Sequence, residues 1–307
     1  MIDYKEIIKG KDARIRIIQA FNWVPDRLML SVQYWLKTGR RVNWNNPQRF
    51  TEKLQIYKIQ SKNNFLMAIC ADKGSVRDYI REKGLEDILI PLIGKGIYST
   101  PDEIDWNALP DRFVIKDTLG GGGDSVIICK DKRQLNREEV LQKCTEWVSR
   151  RYKQAGREHV YDKNRHRIII ESFLDSSDEL EGMVDYKFFC FDGKPQYVYG
   201  ITNRILGNGA EIGIYDLNFN LLPYVRADER PPSHAIPKPI NYDRMIEIAK
   251  ILSDGFPEVR IDLYNLHGSI YFGEMTFFDG SGYMTFKPDE FDYILGKSFK
   301  MQFDRIG

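Results

Sequence analysis

The hydrophobic positions change period several times along the chain, and each change marks an element. Up to about Ser61 apolar residues recur at helical spacing, as at Phe50, Leu54 and Tyr57, behind a start signal in Asn46-Pro47 and the Thr51-Glu52-Lys53 turn. A second amphipathic helix is expected from Asp72 to Lys83, with Val76, Tyr79 and Ile80 on one face and Gly84 as its stop. The run Ile88-Leu89-Ile90-Pro91-Leu92-Ile93 then reads as a buried strand. Two further strands, Asp111 to Asp117 and Ser125 to Cys129, are joined by Leu119 and four consecutive glycines. A helix from Arg137 to Lys153 follows, then a basic stretch (Arg157, His159, Lys163, Arg165, His166, Arg167) and the apolar strand Ile168-Ile169-Ile170. The last third predicts strands at Tyr186 to Phe191 and Gln196 to Gly200 around an Asp192-Gly193 turn, a helix from Tyr242 to Ser253, and a final hairpin. There is no internal repeat and no low-complexity segment.

Composition narrows the class. At 307 residues the chain can bury a core of its own and form two or three lobes around a cleft. Lys and Arg total 45 against 44 for Asp and Glu, a balance that gives no field to gather nucleic acid, and no nucleic-acid partner is expected. Cys70, Cys129, Cys144 and Cys190 are widely spaced without a Cys-x-x-Cys pair, which argues against a metal ribbon or a disulfide scaffold and for a reducing compartment. The N-terminus, MIDYKEIIKGKDARIRII, mixes charges through its apolar positions and does not read as a signal peptide, so a cytoplasmic protein is expected. The segment Phe21 to Leu36 is interrupted by Pro25, Asp26 and Arg27 and is too short to cross a bilayer. Its aromatics Phe21, Trp23, Tyr34 and Trp35 fit either a packed helical subdomain or a surface that touches a membrane or a partner.

Gly120, Gly121, Gly122 and Gly123 incur a large entropy cost and give no side chains to pack, which implies a use for bare backbone. Exposed N–H groups can wrap a phosphate tail, and Lys116 on the preceding strand could neutralise it. The loop is neither a Walker A nor a Rossmann turn, because Ser125-Val126-Ile127-Ile128 continues as a strand and not a helix. The reading that remains is a glycine hairpin closing over a triphosphate, or a loop tip with no ligand. A second candidate lies in Val259-Arg260-Ile261-Asp262-Leu263-Tyr264, which alternates strictly, followed by a turn at His267-Gly268 and the strand Ser269 to Phe277. With His267 to Ser269 as a three-residue loop, Leu266 pairs with Ile270, Asp262 faces Glu274, and Arg260 faces Thr276. Two facing carboxylates repel unless a cation lies between them, and such oxygen ligands suit Mg²⁺ that shares nucleotide phosphates. A two-residue loop would put Glu274 one residue off that face.

With both features in this order, the sequence resembles the ATP-grasp superfamily and, within it, the TupA-like branch associated with teichuronopeptide and other bacterial surface-polysaccharide gene clusters. The resemblance rests on Pro47 to Leu54, Cys70 to Lys73, Phe113 to Lys116, Tyr186 to Pro195 and Val259 to Gly282, and extends from about residue 47 to about 298. It implies an α+β fold in which two α+β lobes clamp ATP behind an N-terminal helical extension. The expected divisions are an extension over 1–62, an N-terminal segment of the core over 63–111, a lid lobe with the glycine loop over 112–175, and a core lobe with the metal site over 176–307. By the same resemblance, Lys73 and Lys116 contact ATP phosphates under the Gly120 to Gly123 lid, and Ile168 to Leu174, with Glu171, Phe173 and Leu174, receives adenine. Asp185 takes the place of the ribose-binding acid, with Asp178 and Glu179 as alternatives. Asp262 and Glu274 are the metal acids. Thr276 stands where many ATP-grasp enzymes have Asn, and its hydroxyl can still take a metal contact. Arg260 would stabilise an acyl phosphate, with Ser281 and Gly282 near it.

The function expected from this is a carboxylate–amine ligase using ATP and Mg²⁺. The resemblance makes the carboxylate a uronic acid of a surface polysaccharide or its precursor and the amine an amino acid, with peripheral association to a membrane-bound polysaccharide assembly complex. An ATP-grasp kinase acting on a sugar, or a nucleotide-binding partner without turnover, are the alternatives. The basic stretch from Arg157 to Arg167 fits an anionic substrate or a solvated face, and His166 and His267 read as structural.

Overall fold

The computed structural model describes residues 19–121, 125–150, 156–203 and 209–301. The chain divides its apolar residues between two cores, each built on one antiparallel sheet. The smaller sheet has the order β1-β4-β2-β3, from β1 (Leu92–Tyr98), β2 (Phe113–Asp117), β3 (Val126–Cys129) and β4 (Ile168–Ser172). Phe113, Ile115, Ile168 and Ile170 alternate inward and pack with Trp106 against α5 (Arg137–Ser149), which buries Val140, Cys144 and Trp147. Asn136 caps that helix by accepting hydrogen bonds from the Glu138 and Glu139 N–H groups.

The larger sheet has the order β10-β9-β5-β6-β7, from β5 (Asp185–Phe191), β6 (Lys194–Thr202), β7 (Glu211–Asp216), β9 (Glu258–Leu266) and β10 (Ser269–Thr276). Every residue of β5 is buried, as expected of a central strand covered on both faces. One cover is α6 (Tyr242–Ser253), whose Met245, Ile248, Ala249 and Leu252 recur every three or four positions. The other includes Phe50, whose ring meets Phe189, Phe191 and Phe299 edge-on at 5.8 to 6.2 Å. Two short strands, β8 (Val225–Arg226) and β11 (Phe286–Lys287), form a separate pair.

The N-terminal region is helical only in part. Helix α1 (Asp26–Thr38) ends at Gly39 in the left-handed conformation, and an irregular stretch leads to α2 (Phe50–Gln60). Arg49 forks onto both Asp289 oxygens at 2.8 and 2.6 Å, and Thr51 donates to Asp292, so α2 is clamped to α7 (Glu290–Ser298). The stretch Pro47 to Leu54 is therefore a structural lock. Two short helices follow, α3 (Phe65–Ala71) and α4 (Val76–Glu82).

Two expected elements start four residues late, each for a local reason. The helix expected from Asp72 starts at Val76, because the Asp72 carboxylate accepts from the Gly74 and Ser75 N–H groups and holds residues 72–75 as a turn. The strand expected at 88–93 begins at Leu92. The N–H groups of Ile88 and Leu89 are spent on turn hydrogen bonds to Leu85 and Glu86, and Pro91 has none to give a ladder. Strand β1 belongs to the smaller sheet, whereas α3 and α4, in the same 63–111 stretch, pack in the larger core. The four cysteines are buried and unbridged. Among the described residues no helix is long and apolar enough to cross a membrane.

Candidate active site

The two sheets face each other across a cleft of about 530 Å³. One end is apolar, walled by Ile90, Val114, Val126, Ile128, Phe173, Leu174 and Met183. The other end carries Lys73, Lys116, Gly120, Gly121, Asp185, Lys187, Asp262 and Glu274. Of the glycine loop, Gly122 and Gly123 lie outside the described residues.

The hairpin that supplies the acids is built differently from expectation. The loop has two residues, His267 and Gly268, both left-handed, and Leu266 pairs with Ser269. On that register alone Glu274 would leave the cleft face. A bulge between Phe272 and Glu274 adds one residue, Gly273, and restores Asp262 opposite Glu274 and Arg260 opposite Thr276. The reason is visible in the sequence. Phe272 and Glu274 are two residues apart and would share a face, yet Phe272 is buried in the core and Glu274 lines the cleft. Gly273 lets both be satisfied, and a Cβ there would lie 3.1 Å from the Asp262 carbonyl oxygen.

The charged floor is a network in which each cation has a carboxylate. Lys73 Nζ lies 3.2 Å from Glu274 Oε2 and donates to the Gly120 carbonyl at 2.6 Å, tying the acid to the base of the glycine loop. Lys116 Nζ donates to Glu171 Oε2 at 2.7 Å. Arg260 gives Nε and Nη2 to the two Asp262 oxygens at 2.8 Å each, contacts Asp279 through Nη1, and donates to Thr276 Oγ1 at 3.1 Å. Lys187, which the sequence reading missed, stands one residue pair away on β5, opposite Asp262. Its ammonium contacts Asp262 Oδ2 and lies 2.9 Å from Asp185 Oδ2.

Several sequence-based assignments change accordingly. Glu171 stands opposite Val114 on the face of the sheet that carries Lys116, where it is held by Lys116 and, at 3.4 Å, by Arg77, so it positions Lys116. Phe173 and Leu174 line the apolar end. Arg260, expected to meet an acyl phosphate, is committed to Asp262, Asp279 and Thr276. Glu179 accepts from the His267 N–H at 2.7 Å and Asp178 faces the His267 ring, which leaves Asp185 as the acid of that set on the cleft wall. Of the basic stretch, Arg157 donates to the carbonyls of Phe21 and Val24, His159 pairs with Asp26, His166 with Asp117, and Arg167 with Asp72. Only Lys163 and Arg165 of the six are exposed.

Burial and neighbours push the two hairpin acids in opposite directions. Burial lifts Asp262 to about 6 against the pull of Arg260 and Lys187. Burial acts the same way on Glu274, but Lys73, Lys187 and Arg260 outweigh it and hold that carboxyl well below the usual range. Among the described residues no three carboxylates, histidines or cysteines converge as a closed metal cage. Two carboxylates with open space beyond them do fit Mg²⁺, which takes one or two protein acids and completes its shell with waters and phosphates. Charge favours the same conclusion. Lys73, Lys116, Lys187 and Arg260 face Glu171, Asp185, Asp262, Glu274 and Asp279, so the floor has no surplus of positive charge for a triphosphate unless a cation comes with it.

An apolar slot running into a floor of lysines and carboxylates, gripped between two antiparallel sheets with a glycine loop at one edge, is the architecture of an ATP-grasp protein. The family model described as TupA-like ATPgrasp matches residues 52–300, and the chain belongs to that family. Solved structures similar to it include D-alanine–D-alanine ligase from Bacillus anthracis, at 19% identity over 68% of this chain and 57% of that one, with a TM-score of 0.41. Phosphoribosylamine–glycine ligase from Thermotoga maritima is 13% identical over 69% of this chain and 48% of its own, with a TM-score of 0.42. D-alanine–D-alanine ligase from Helicobacter pylori is 12% identical over 76% and 62%, with a TM-score of 0.40. The chain thus spans about half to three fifths of the length of these proteins. No curated protein matches it.

Proposed function

We propose that the protein is an ATP-dependent carboxylate–amine ligase. The observation that supports this is the meeting of Lys73, Lys116 and Lys187 with the Asp262–Glu274 pair in one cleft that also has an apolar lining. Adenine suits the slot of Val114, Ile128, Phe173 and Leu174, with Asp185 beside it for the ribose. The phosphates then reach the three ammonium groups, which exchange their carboxylate partners for phosphate oxygens. Asp262 and Glu274 would hold Mg²⁺, which when bound would offset the negative charge of the phosphates.

In the first step a substrate carboxylate oxygen attacks the γ-phosphorus, the bond to the bridging oxygen breaks, and ADP leaves with that electron pair. In the second, an amine nitrogen attacks the acyl carbon, phosphate departs with the C–O electron pair, and the nitrogen loses a proton, giving an amide. The chain supplies positioning and charge, and no protein nucleophile is required. Lys187 is well placed to follow the transferred phosphoryl group, whereas Arg260 sets the orientation and charge of Asp262. The family resemblance points the carboxylate to a uronic acid of a surface polysaccharide and the amine to an amino acid.

The test is incubation with ATP, Mg²⁺ and pools of uronic acid glycans and amino acids, following ADP release and product mass. Magnesium-dependent ADP release that needs both acceptors and yields an amide mass is expected, and Asp262→Asn or Glu274→Gln should each reduce it by roughly 10²-fold or more. A phosphorylated product formed without amine would replace the ligase with a kinase, and tight ATP binding without turnover would replace it with a binding role.

A further inference from the structure

Helix α1 exposes an apolar face. Its four exposed side chains are Leu28, Val32, Trp35 and Leu36, which fall on one side at a spacing of three or four, opposite the buried Met29, Leu30, Gln33 and Tyr34. Trp23, just before the helix, is 79% exposed, and Phe65 on α3 is 71% exposed. The turn that leads into α3 reaches the start of α1, where Lys62 Nζ lies 3.5 Å from Asp26 Oδ2. Soluble surfaces scatter single apolar residues, but a continuous strip with two tryptophans marks an interaction surface.

Charge identifies what covers it. The near-neutral whole chain hides an asymmetry: residues 19–75 contain nine Lys and Arg but only Asp26, Glu52 and Asp72 as acids, a balance of 9 − 3 = +6 against +1 for the full chain, reduced at the surface because Arg40, Arg49, Lys58 and Lys73 pair with acids later in the chain. None of the three acids is exposed. Glu52 caps the N–H groups of Asn43, Gln48 and Arg49, Asp72 is buried beside Arg167, and Asp26 is ringed by Lys62, Arg157 and His159. The exposed charges that flank the strip are Lys62 at one end and Arg41 at the other, with Lys163 stacked over the Phe65 ring at 4.6 Å. A second copy docked by twofold symmetry would set these cations against themselves.

We propose that this face is a docking surface for an anionic lipid bilayer, on which α1 lies flat with Trp23 and Trp35 at the headgroup level. The 13-residue helix, about 20 Å long, rests in the interface and does not span it. The proposal does not depend on the ligase reading, and either can fail alone.

The test is co-sedimentation of the full chain with vesicles of phosphatidylcholine alone and of phosphatidylcholine mixed with phosphatidylglycerol, at low and high salt. Binding to the mixed vesicles, weakened by salt and at least about tenfold stronger than to neutral ones, is expected, with a blue shift of tryptophan emission. Leu28→Glu with Val32→Glu should weaken it about a hundredfold while leaving ATP binding unchanged, which shows that the variant is folded. Failure to pellet with anionic vesicles would overturn the proposal, as would binding that the double variant leaves intact. So would a vesicle-free dimer that the double variant dissociates, because the face would then belong to a second copy.

Discussion

Replacing Lys187 by Met keeps the stem and removes one buried charge. The ammonium stands between Asp185 and Asp262 on a strand where every residue is buried, so its loss leaves two carboxylates facing with less compensation. Breaking a buried ionic pair from one side costs about 3–5 kcal/mol. Asp262, already lifted to about 6, can relieve part of that by taking up a proton, so about 3 kcal/mol is expected near neutral pH. This corresponds to a fall in Tm of roughly 5 °C for a chain of this length. Urea denaturation of Lys187→Met, Asp185→Asn and the double variant gives the coupling: the double variant should cost about 1–2 kcal/mol less than the two singles added. Magnesium should also raise the Tm of Lys187→Met more than that of the wild type, because a divalent ion replaces the missing cation. A loss below about 1 kcal/mol with no coupling to Asp185 would refute the charge-compensating role of Lys187.

Two further outcomes follow from single positions. A Cβ on Gly120 would lie 2.2 Å from the Ser125 Cβ, whereas one on Gly121 meets nothing within 4 Å among the described residues; Gly120→Ala should cost about 1–3 kcal/mol in urea denaturation and Gly121→Ala less than about 0.5. Lys58 is fully buried, donates to the Ser281 carbonyl at 2.8 Å, and burial brings it from 10.5 down to about 8 against the pull of Glu158. Between pH 8 and 10.5 the unfolded chain therefore binds the extra proton, stability rises with pH, and the advantage of wild type over Lys58→Met should grow by up to about 3 kcal/mol across that window. A difference that stays flat with pH would show that the folded Lys58 titrates like an exposed lysine.

Much of the architecture was legible because period and punctuation agree with it. The helix Tyr242–Ser253 has the expected ends, and the strands on either side of the glycine loop differ from expectation only at their outer residues. The segment Ile88 to Ile93 misled because apolarity reports burial and not backbone pairing: Ile88, Leu89 and Ile90 are buried, but their stretch turns before Pro91. Partner choice was less legible. Sequence names the charge of Arg260 without its neighbours, and Asp279, nineteen residues on, is one of the carboxylates that hold it. Lys187 carried a signal that went unused, since a lysine inside the run Tyr186 to Phe191 has no solvent face and needs an acid. The basic stretch had the converse problem, because Asp26, Asp72 and Asp117, which absorb most of it, are 49 to 133 residues away in sequence and only the fold joins them.

The bulge at Gly273 makes the hairpin a ladder with one surplus rung. If that rung were removed, Phe272 and Glu274 would become neighbours on a regular strand and would still point to opposite sides, Phe272 beside Leu263 and Glu274 across from Asp262. Enlarging it is a different matter, since any side chain at 273 presses on the Asp262 carbonyl. The position is thus dispensable in number yet not in size, and a chain shortened by this one residue keeps its acids facing, whereas the loss of Met275, beyond the bulge, would swing Thr276 out of step with Arg260.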